Sequence, residues 1–136
     1  MNYLLDSCVV SDFFKKDPAT INHFQTASPT QIHISSVTVM EIEYGLALNP
    51  DRAKKIRPVW DSLLQAVTII AFCSECATKA ASLRAGLKAI GLPIGPFDIL
   101  IAGTALAHNL ILVTSNTKEF KRIAELTVED WRDPAS

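Results

Sequence analysis

Asp98 is an acidic residue in a segment that otherwise resembles a buried helix, IGPFDILIAGTALAH. If Pro96 begins that helix, the carboxylate shares a stripe with Ile101 and Ala105. A carboxylate that faces a core has to be hydrogen-bonded, paired or metal-bound, because its desolvation is costly. Capping of the helix start is the simpler alternative, since acidic residues are favoured there. The positions of the other acids bear on this choice.

Further carboxylates and one amide occur in three other motifs. These are Asp6 in MNYLLDSCVV, Glu41 in SSVTVMEIEYG, and Asn116 and Glu119 in LVTSNTKEF. They are widely separated along the chain, so they can act together only if the fold gathers them.

Strands and helices alternate along the chain. Strands are predicted over residues 2–5, 31–35, 67–72, 110–113 and 127–128. Helices are predicted over residues 9–15, 18–26, 37–47, 50–64, 75–90, 96–108 and 118–124, with Ser36 as an N-cap and Gly91 as a left-handed C-cap. The pattern predicts one α/β domain over residues 1–136, with a central parallel sheet of four to five strands and helices on both faces.

That architecture brings the acids together. In a parallel α/β sheet, strand C-termini and helix N-termini lie at one edge, where ligands bind. Asp6, Glu41, Asp98, Asn116 and Glu119 all reach this edge. Such a cluster repels itself at neutral pH unless protons or cations neutralise it. Oxygen ligands without His or Cys suit Mg²⁺ or Mn²⁺, so the pattern predicts a hard-cation site.

Composition limits the class of protein. The 136 residues are 49% hydrophobic and 20% charged, as expected of an ordered globular domain. The apolar runs fall short of the roughly 20 residues that span a bilayer, and the N-terminus lacks the features of a signal peptide. Three cysteines without a paired framework predict a reducing, cytoplasmic location. A net charge of −1 leaves nucleic-acid binding to local basic patches.

The motifs together resemble those of the PIN-domain ribonucleases, and most closely the VapC-type toxins of bacterial toxin–antitoxin pairs. They are YLLDSCVVSDFF, ISSVTVMEIEYG, GLPIGPFDILIAGTALAHNLILVTSNTKEF and LTVEDW. The resemblance implies a PIN-like three-layer fold and an endoribonuclease that uses Mg²⁺, with Mn²⁺ as a substitute. Water rather than the ribose 2′-hydroxyl would attack the phosphodiester, leaving a 3′-hydroxyl and a 5′-phosphate.

The resemblance also implies catalytic roles for individual residues. Asp6, Glu41 and Asp98 match the metal-binding acids of the family. Asn116 falls where many PIN domains have a fourth acid, and Glu119 matches a nearby position that is often acidic.

Hydroxyl side chains are expected beside these acids. Thr114 matches a small hydroxyl residue of the family, and Ser7 offers a hydroxyl next to the first acid. The family usually has Leu-Asp-Thr-Asn in this motif, whereas this chain has LDSC, with Cys8 in place of the amide. A thiol is a weak hydrogen-bond partner, so this departure bears on how the acids are oriented.

The resemblance extends to substrate and partners. GPFDILIAG and VTSNTKEF are similar to an enteric and plasmid-borne subgroup that cuts initiator tRNA in the anticodon loop. The family implies a VapB-like antitoxin, a toxin homodimer and a toxin–antitoxin hetero-oligomer. The apolar residues Val9, Val10, Phe13 and Phe14 are candidate contacts for the antitoxin.

Basic residues near the acidic motifs are candidates for RNA-backbone contacts. Lys118, Lys121 and Arg122 directly follow the acidic edge. Arg84 and Lys88 lie four residues apart on a predicted helix, where a solvated face and an RNA contact explain them equally well.

Two other functions compete with the nuclease hypothesis. Cys73 and Cys76 form a C-x-x-C pair at a strand-to-helix junction, which would suit a thiol–disulfide or ligand-binding α/β domain. No second C-x-x-C accompanies it as in a zinc site, and His108 is interpreted, like the other histidines, as a surface or packing residue. The third possibility is a PIN-like protein that binds RNA without cutting it.

Overall fold

A computed structural model of the protein describes residues 1–134, which form a five-stranded sheet. The strands are β1 Tyr3–Leu5, β2 Ile32–Ser35, β3 Thr68–Ile70, β4 Ile111–Val113 and β5 Val128–Glu129. They pair in the order β3-β2-β1-β4-β5, and every pairing is parallel. The predicted parallel α/β sheet is confirmed.

Helices connect the strands. They are α1 Ser7–Phe14, α2 Pro18–Thr26, α3 Ser36–Leu48, α4 Pro50–Ala66, α5 Ser74–Ala89, α6 Pro96–Ala107 and α7 Thr117–Phe120, with a short 3₁₀ turn at Pro29–Gln31. None of the helices within residues 1–134 has the length and apolar character to cross a membrane.

Two apolar cores cover the two faces of the sheet. Successive side chains of a strand point to opposite faces, and β1 accordingly directs Leu4 into one core and Leu5 into the other. Ile101 of α6 and Phe120 of α7 belong to the first core, and Trp60 of α4 belongs to the second. The sheet is therefore the middle layer of three, as the family resemblance implied.

The strand register aligns the carboxyl ends of the three central strands. Leu5 pairs with Ile34 of β2 and with Val113 of β4, and the backbone N–H of Asp6 donates to the Val113 carbonyl at 3.1 Å. The residues that follow these strands consequently begin at one edge of the sheet.

Several helix boundaries differ from those predicted. The helix expected at residue 9 begins at Ser7, because the Asp6 side chain caps it. Ser35, and not Ser36, caps α3, since its Oγ accepts from the N–H of Val37 and Thr38 at 3.0 and 3.3 Å. The Ser36 hydroxyl instead accepts from the N–H of Phe72 at 3.1 Å.

The last predicted helix is also shorter, whereas the predicted Gly91 cap is confirmed. The helix expected to reach residue 124 ends at Phe120, after which Arg122 donates back to the Glu119 carbonyl in a tighter turn. Gly91 adopts a left-handed φ of 71° after α5.

The contact between α5 and α6 depends on Gly103. A Cβ on this residue would lie 2.8 Å from the Cβ and backbone N of Ala80 and 2.9 Å from the Cys76 carbonyl. We therefore expect Gly103→Ala to lower the free energy of unfolding by about 1–3 kcal/mol, since the clash is with backbone that cannot move aside. Urea denaturation measures the change.

The control is Gly86→Ala on α5, where a new Cβ meets no atom within 4 Å. It should raise the free energy of unfolding by about 0.5–1 kcal/mol, because alanine restricts the unfolded chain and favours the helix. Equal effects of the two substitutions would contradict the packing described here.

Candidate active site

Asp6 lies at the junction of β1 and α1 and is 2% exposed. Its Oδ1 accepts from the N–H of Val9 at 3.1 Å, and its Oδ2 accepts from the Thr114 hydroxyl. Burial raises the pKa of this carboxyl to about 6, the two hydrogen bonds oppose that rise, and Glu41 adds to it. The carboxylate is thus held in one direction, and each oxygen keeps a second lone pair for another partner.

Asp98 lies in the first turn of α6 and faces the other acids. Burial, followed by the negative charges of Glu119, Asp6 and Glu41, raises its pKa to about 7. The backbone N–H of Gly95, the N-cap of α6, donates to Glu119 at 2.7 Å and not to Asp98. The Asp98 side chain therefore does not cap its own helix, and its surroundings are those of a shared acidic site.

Glu41 projects from the second turn of α3 and is partly buried. Burial raises the pKa of its carboxyl, and a hydrogen bond from Ser7 lowers it. Its Oε1 is buried and has no hydrogen-bond partner within the described part of the chain. A buried carboxylate oxygen without a donor is costly, which makes this atom a natural ligand for a cation.

Asn116 and Glu119 form a hydrogen-bonded chain at the same edge. The backbone N–H of Asn116 donates to the Thr114 hydroxyl at 3.0 Å, and its amide donates to Glu119 Oε2 at 2.8 Å. Glu119 Oε1 accepts from the N–H of Gly95 at 2.7 Å. These bonds fix the loop before α6. The role of Gly95 was not predicted, because it acts through its backbone N–H, and a sequence motif identifies only side chains.

Asp98 and Glu119 interact directly and have opposite pKa shifts. Burial acts against ionisation of Glu119, but hydrogen bonds from Gly95, Asn116 and Asp98 outweigh it and lower its pKa. The pKa of Asp98 is raised. The pair therefore retains a shared proton close to neutrality unless another positive charge takes its place.

The acids are loosely arranged around the space between them. Among residues 1–134, no three carboxylates bring oxygen atoms within 4.8 Å of one another. Mg²⁺ usually keeps several waters and binds one or two carboxylates directly, so it does not need a closed cage. The orphaned Glu41 oxygen and the mutual repulsion of the acids fit a hard divalent ion at this edge.

Cys8 lies beside this cluster. Burial and the charges of Asp6 and Asp98 raise the pKa of its thiol to about 11, although Ser115 donates a hydrogen bond to it. The thiol therefore stays neutral at physiological pH and is unsuited to act as a nucleophile.

The predicted basic residues take two kinds of position. Lys118 and Lys121 are exposed at α7, whereas Arg122 Nη1 donates to the Pro93 carbonyl at 2.8 Å and so anchors the loop before α6. Arg84 and Lys88 are exposed on α5 and line a groove that reaches the start of α6. All of them lie near segments that carry the acids.

The residues predicted to contact an antitoxin are mostly internal. Val9 and Val10 are 2% and 0% exposed and belong to the second core, so they are not available at the surface of the folded chain. Phe13 and Phe14 are partly buried, with the Phe13 ring 4.3 Å from that of Phe24. The prediction failed for the two valines because a strongly apolar short helix packs its valines inward on the sheet.

A parallel sheet that gathers four acids near its carboxyl edge defines an α/β domain with a carboxylate-lined site at that edge. The sequence model of the PIN-domain family matches residues 3–126 of the chain. A "tRNA(fMet)-specific endonuclease VapC" from Shigella flexneri is 34% identical over 131 residues, which is 96% of this chain and 98% of the relative. Ribonuclease VapC2 from Rickettsia felis is 36% identical over 133 residues, with coverage of 96% and 98%.

A solved structure agrees with these relatives. VapBC2 from Rickettsia felis, bound to a DNA fragment from its promoter, has a TM-score of 0.88 and 35% identity, covering 96% of this chain and 99% of that one. The chain belongs to the PIN-domain family, among its VapC ribonucleases. Ribonucleases of this family generally depend on divalent metal ions. The thiol–disulfide and non-cleaving alternatives are not favoured by these relationships.

The raised pKa values of Asp6 and Asp98 predict a pH dependence of stability. A carboxyl whose pKa is raised on folding binds protons more readily in the folded state, so stability falls as pH rises from about 4, its unfolded value, to about 7. Without metal, the contribution of these two carboxyls to the free energy of unfolding should fall by roughly 1–3 kcal/mol over this range. Urea denaturation in EDTA measures it.

In Asp98→Asn the loss of stability should be smaller, because one of the two groups no longer titrates. Saturating Mg²⁺ should also reduce the loss in the unsubstituted protein. A change of stability between pH 4 and 7 in EDTA that is the same in Asp98→Asn as in the unsubstituted protein would show that the acids do not repel one another as described.

Proposed function

We propose that this ribonuclease is a Mg²⁺-dependent toxin that hydrolyses one phosphodiester in the anticodon loop of initiator tRNA. The proposal is supported most by one observation. Acids from distant parts of the chain converge at the carboxyl edge of the sheet, around a buried Glu41 oxygen that has no donor among the described residues. Mn²⁺ should replace Mg²⁺, since both prefer oxygen ligands.

In this proposal Asp6, Glu41 and Asp98 hold the metal. When bound, the ion neutralises charge and lowers the pKa of a water in its shell. Asp6 is oriented by the N–H of Val9 and the hydroxyl of Thr114, and Ser7 orients Glu41. We propose these hydroxyls as the supporting groups that the family resemblance implies.

Asn116 and Glu119 position the start of α6, and hence Asp98, through the N–H of Gly95. The nucleophile is water, because the Cys8 thiol is neutral and the chain's histidines lie elsewhere. His33 binds backbone carbonyls in the sheet, His23 stacks on Trp131, and His108 ends α6. Attack by water leaves a 3′-hydroxyl and a 5′-phosphate.

The proposed substrate is inferred from the charge of the chain and from the name of one relative. A net charge of −1 gives no broad attraction to RNA, so binding rests on exposed cations beside the acids. Lys118 and Lys121 at α7, together with Arg84 and Lys88 on α5, would contact the phosphates of a stem while a splayed loop enters the site. The relative from Shigella flexneri is named for tRNA(fMet), which supports an anticodon stem-loop.

A VapB-like antitoxin is the proposed protein partner, and the solved VapBC2 relative supports it. A cation from its tail would pair with the acids. In addition to Phe13 and Phe14, α3 offers an exposed apolar stripe, with Met40, Tyr44 and Leu48 at 43%, 62% and 67% exposure. Leu48→Glu should weaken binding of the antitoxin. An unchanged affinity for the antitoxin would contradict its placement on α3 and leave Phe13 and Phe14 as the proposed contacts.

The isolated chain is proposed to form a homodimer in the cytoplasm, where its RNA substrate is found. The three cysteines are free, which suits a reducing compartment. Sedimentation of the isolated chain and of its antitoxin complex tests the assembly.

Asp6→Asn and Asp98→Asn should each lower kcat/KM at least about 100-fold, because even indirect partners of metal ligands account for roughly 10- to 100-fold. Glu119→Gln should have a smaller effect, since its bonds position a loop. Cleavage of purified tRNA measures the loss, and Asp51→Asn, an exposed acid on α4, is the control.

Cleavage should also stop in EDTA and return with Mg²⁺ or Mn²⁺. Full activity of either aspartate variant at saturating Mg²⁺ would refute the proposed ligands. Activity that persists in EDTA would refute metal dependence itself.

With total RNA and Mg²⁺, new 5′ ends should map to the anticodon loop of initiator tRNA. Combined Lys118→Ala and Lys121→Ala should raise KM and flatten the salt dependence, because phosphate contacts release counterions. The control is Lys54→Ala with Lys55→Ala on α4, two exposed lysines in another helix. Cuts scattered over messenger and ribosomal RNA would contradict the tRNA target and leave the ribonuclease assignment intact.

A further inference from the structure

Two cysteines and a histidine meet at the end of the α5–α6 pair that is remote from the acids. Cys73 is the N-cap of α5, Cys76 lies in its first turn, and His108 is the C-cap of α6. The two sulfurs are 3.4 Å apart, and one ligand atom from each of the three residues lies within 4.8 Å of the others. Within residues 1–134, this is the set of such side chains that is close enough to share one metal ion.

The local fold fixes the positions of these ligands. α5 and α6 approach closely at Gly103, where a Cβ would lie 2.9 Å from the Cys76 carbonyl, so the absence of a side chain there allows the two helices to pack this near. At the end of α6, the N–H of His108 donates to the Thr104 carbonyl at 3.2 Å, and Asn109 turns left-handed with φ 54°. The histidine is thereby held at the helix end and directed to the start of α5.

The sulfur positions suit tetrahedral coordination. Zn–S bonds of about 2.3 Å at a tetrahedral angle place two sulfurs about 3.8 Å apart, close to the observed separation. A disulfide requires about 2.0 Å, so the pair is not bonded. The backbone N–H groups at the start of α5 lower the pKa of the Cys73 thiol, which favours the thiolate that a metal binds. The Thr104 hydroxyl lies near the Cys76 sulfur and donates to the Leu100 carbonyl at 2.9 Å.

We propose that Cys73, Cys76 and His108 bind one Zn²⁺ ion, with the fourth position open to water. Two sulfurs and an imidazole select a thiophilic metal, in contrast to the oxygen ligands of the candidate active site. Binding releases the two thiol protons to solvent. About ten residues of helix separate His108 from Asp98, a distance of roughly 15 Å, so the two metals occupy separate sites. The ion links the start of α5 to the end of α6.

Cobalt(II) is the probe, because it substitutes for zinc and absorbs when bound by thiolate. The full chain is titrated with Co²⁺ under a phosphine reductant, with Mg²⁺ in excess to occupy the carboxylates. We expect one Co²⁺ per chain with thiolate-to-cobalt charge transfer, and its displacement by Zn²⁺. Cys73→Ser with Cys76→Ser should abolish the charge-transfer band, and His108→Asn should weaken Co²⁺ binding about 10-fold or more.

Two controls separate this site from the rest of the molecule. Cys8→Ser removes the remaining cysteine, and Asp98→Asn removes an acid of the candidate active site, and both should retain the cobalt spectrum. The Asp98→Asn control makes the result independent of the proposed nuclease mechanism. Loss of the band in Cys8→Ser would overturn the proposal.

Thermal unfolding gives a second measurement. Zn²⁺ should raise the Tm of the unsubstituted chain and of Cys8→Ser, but not that of the double cysteine variant, since only a folded site binds the ion. If the double variant fails to fold, His108→Asn provides the test of the site, because the His108 side chain is exposed and its replacement should leave the fold intact. No thiolate band in the reduced chain, or an unchanged affinity in His108→Asn, would overturn the proposal.

Discussion

The carboxylate of Asp6 is the group on which the rest of the site depends. It stands at the end of the central strand, where one oxygen caps α1 through Val9 and the other accepts from Thr114 after β4. The same side chain therefore starts a helix, joins two strands and faces the other acids. Because its orientation is set by backbone and sheet, the geometry of the cluster follows from the register of β1 with its neighbours.

This arrangement opposes stability. Partly buried carboxylates at this edge of the sheet repel one another, and the buried Glu41 oxygen without a hydrogen-bond donor among the described residues further lowers the stability of the fold. The two apolar cores on either side of the sheet offset it, together with a two-bond contact from Arg132 to the buried Asp12 at 2.8 Å for each bond. A metal ion bound at this edge would reduce the repulsion, so the ion that the proposed function requires would also stabilise the fold.

Much of the fold could be predicted, because alternating apolar segments determine both the parallel sheet and the edge at which Asp6 and Asp98 meet. The contacts between individual residues could not be predicted. Either of two adjacent serines could cap α3, and the choice depends on a distant hydrogen bond, which the N–H of Phe72 donates to the Ser36 hydroxyl. The burial of Val9 depends on how a short helix sits on the sheet. The approach of His108 to the cysteines depends on the angle between two helices, which local patterns do not encode.

The central claim is that the carboxylates bind a hard divalent ion at the edge of the sheet. The most direct measurement is the anomalous scattering of Mn²⁺ in crystals of the protein. We predict a manganese peak within bonding distance of Asp6 and Asp98, with Glu41 bound directly or through water, and no such peak in crystals of Asp98→Asn. A peak elsewhere, or an empty acidic edge at saturating Mn²⁺, would contradict the account.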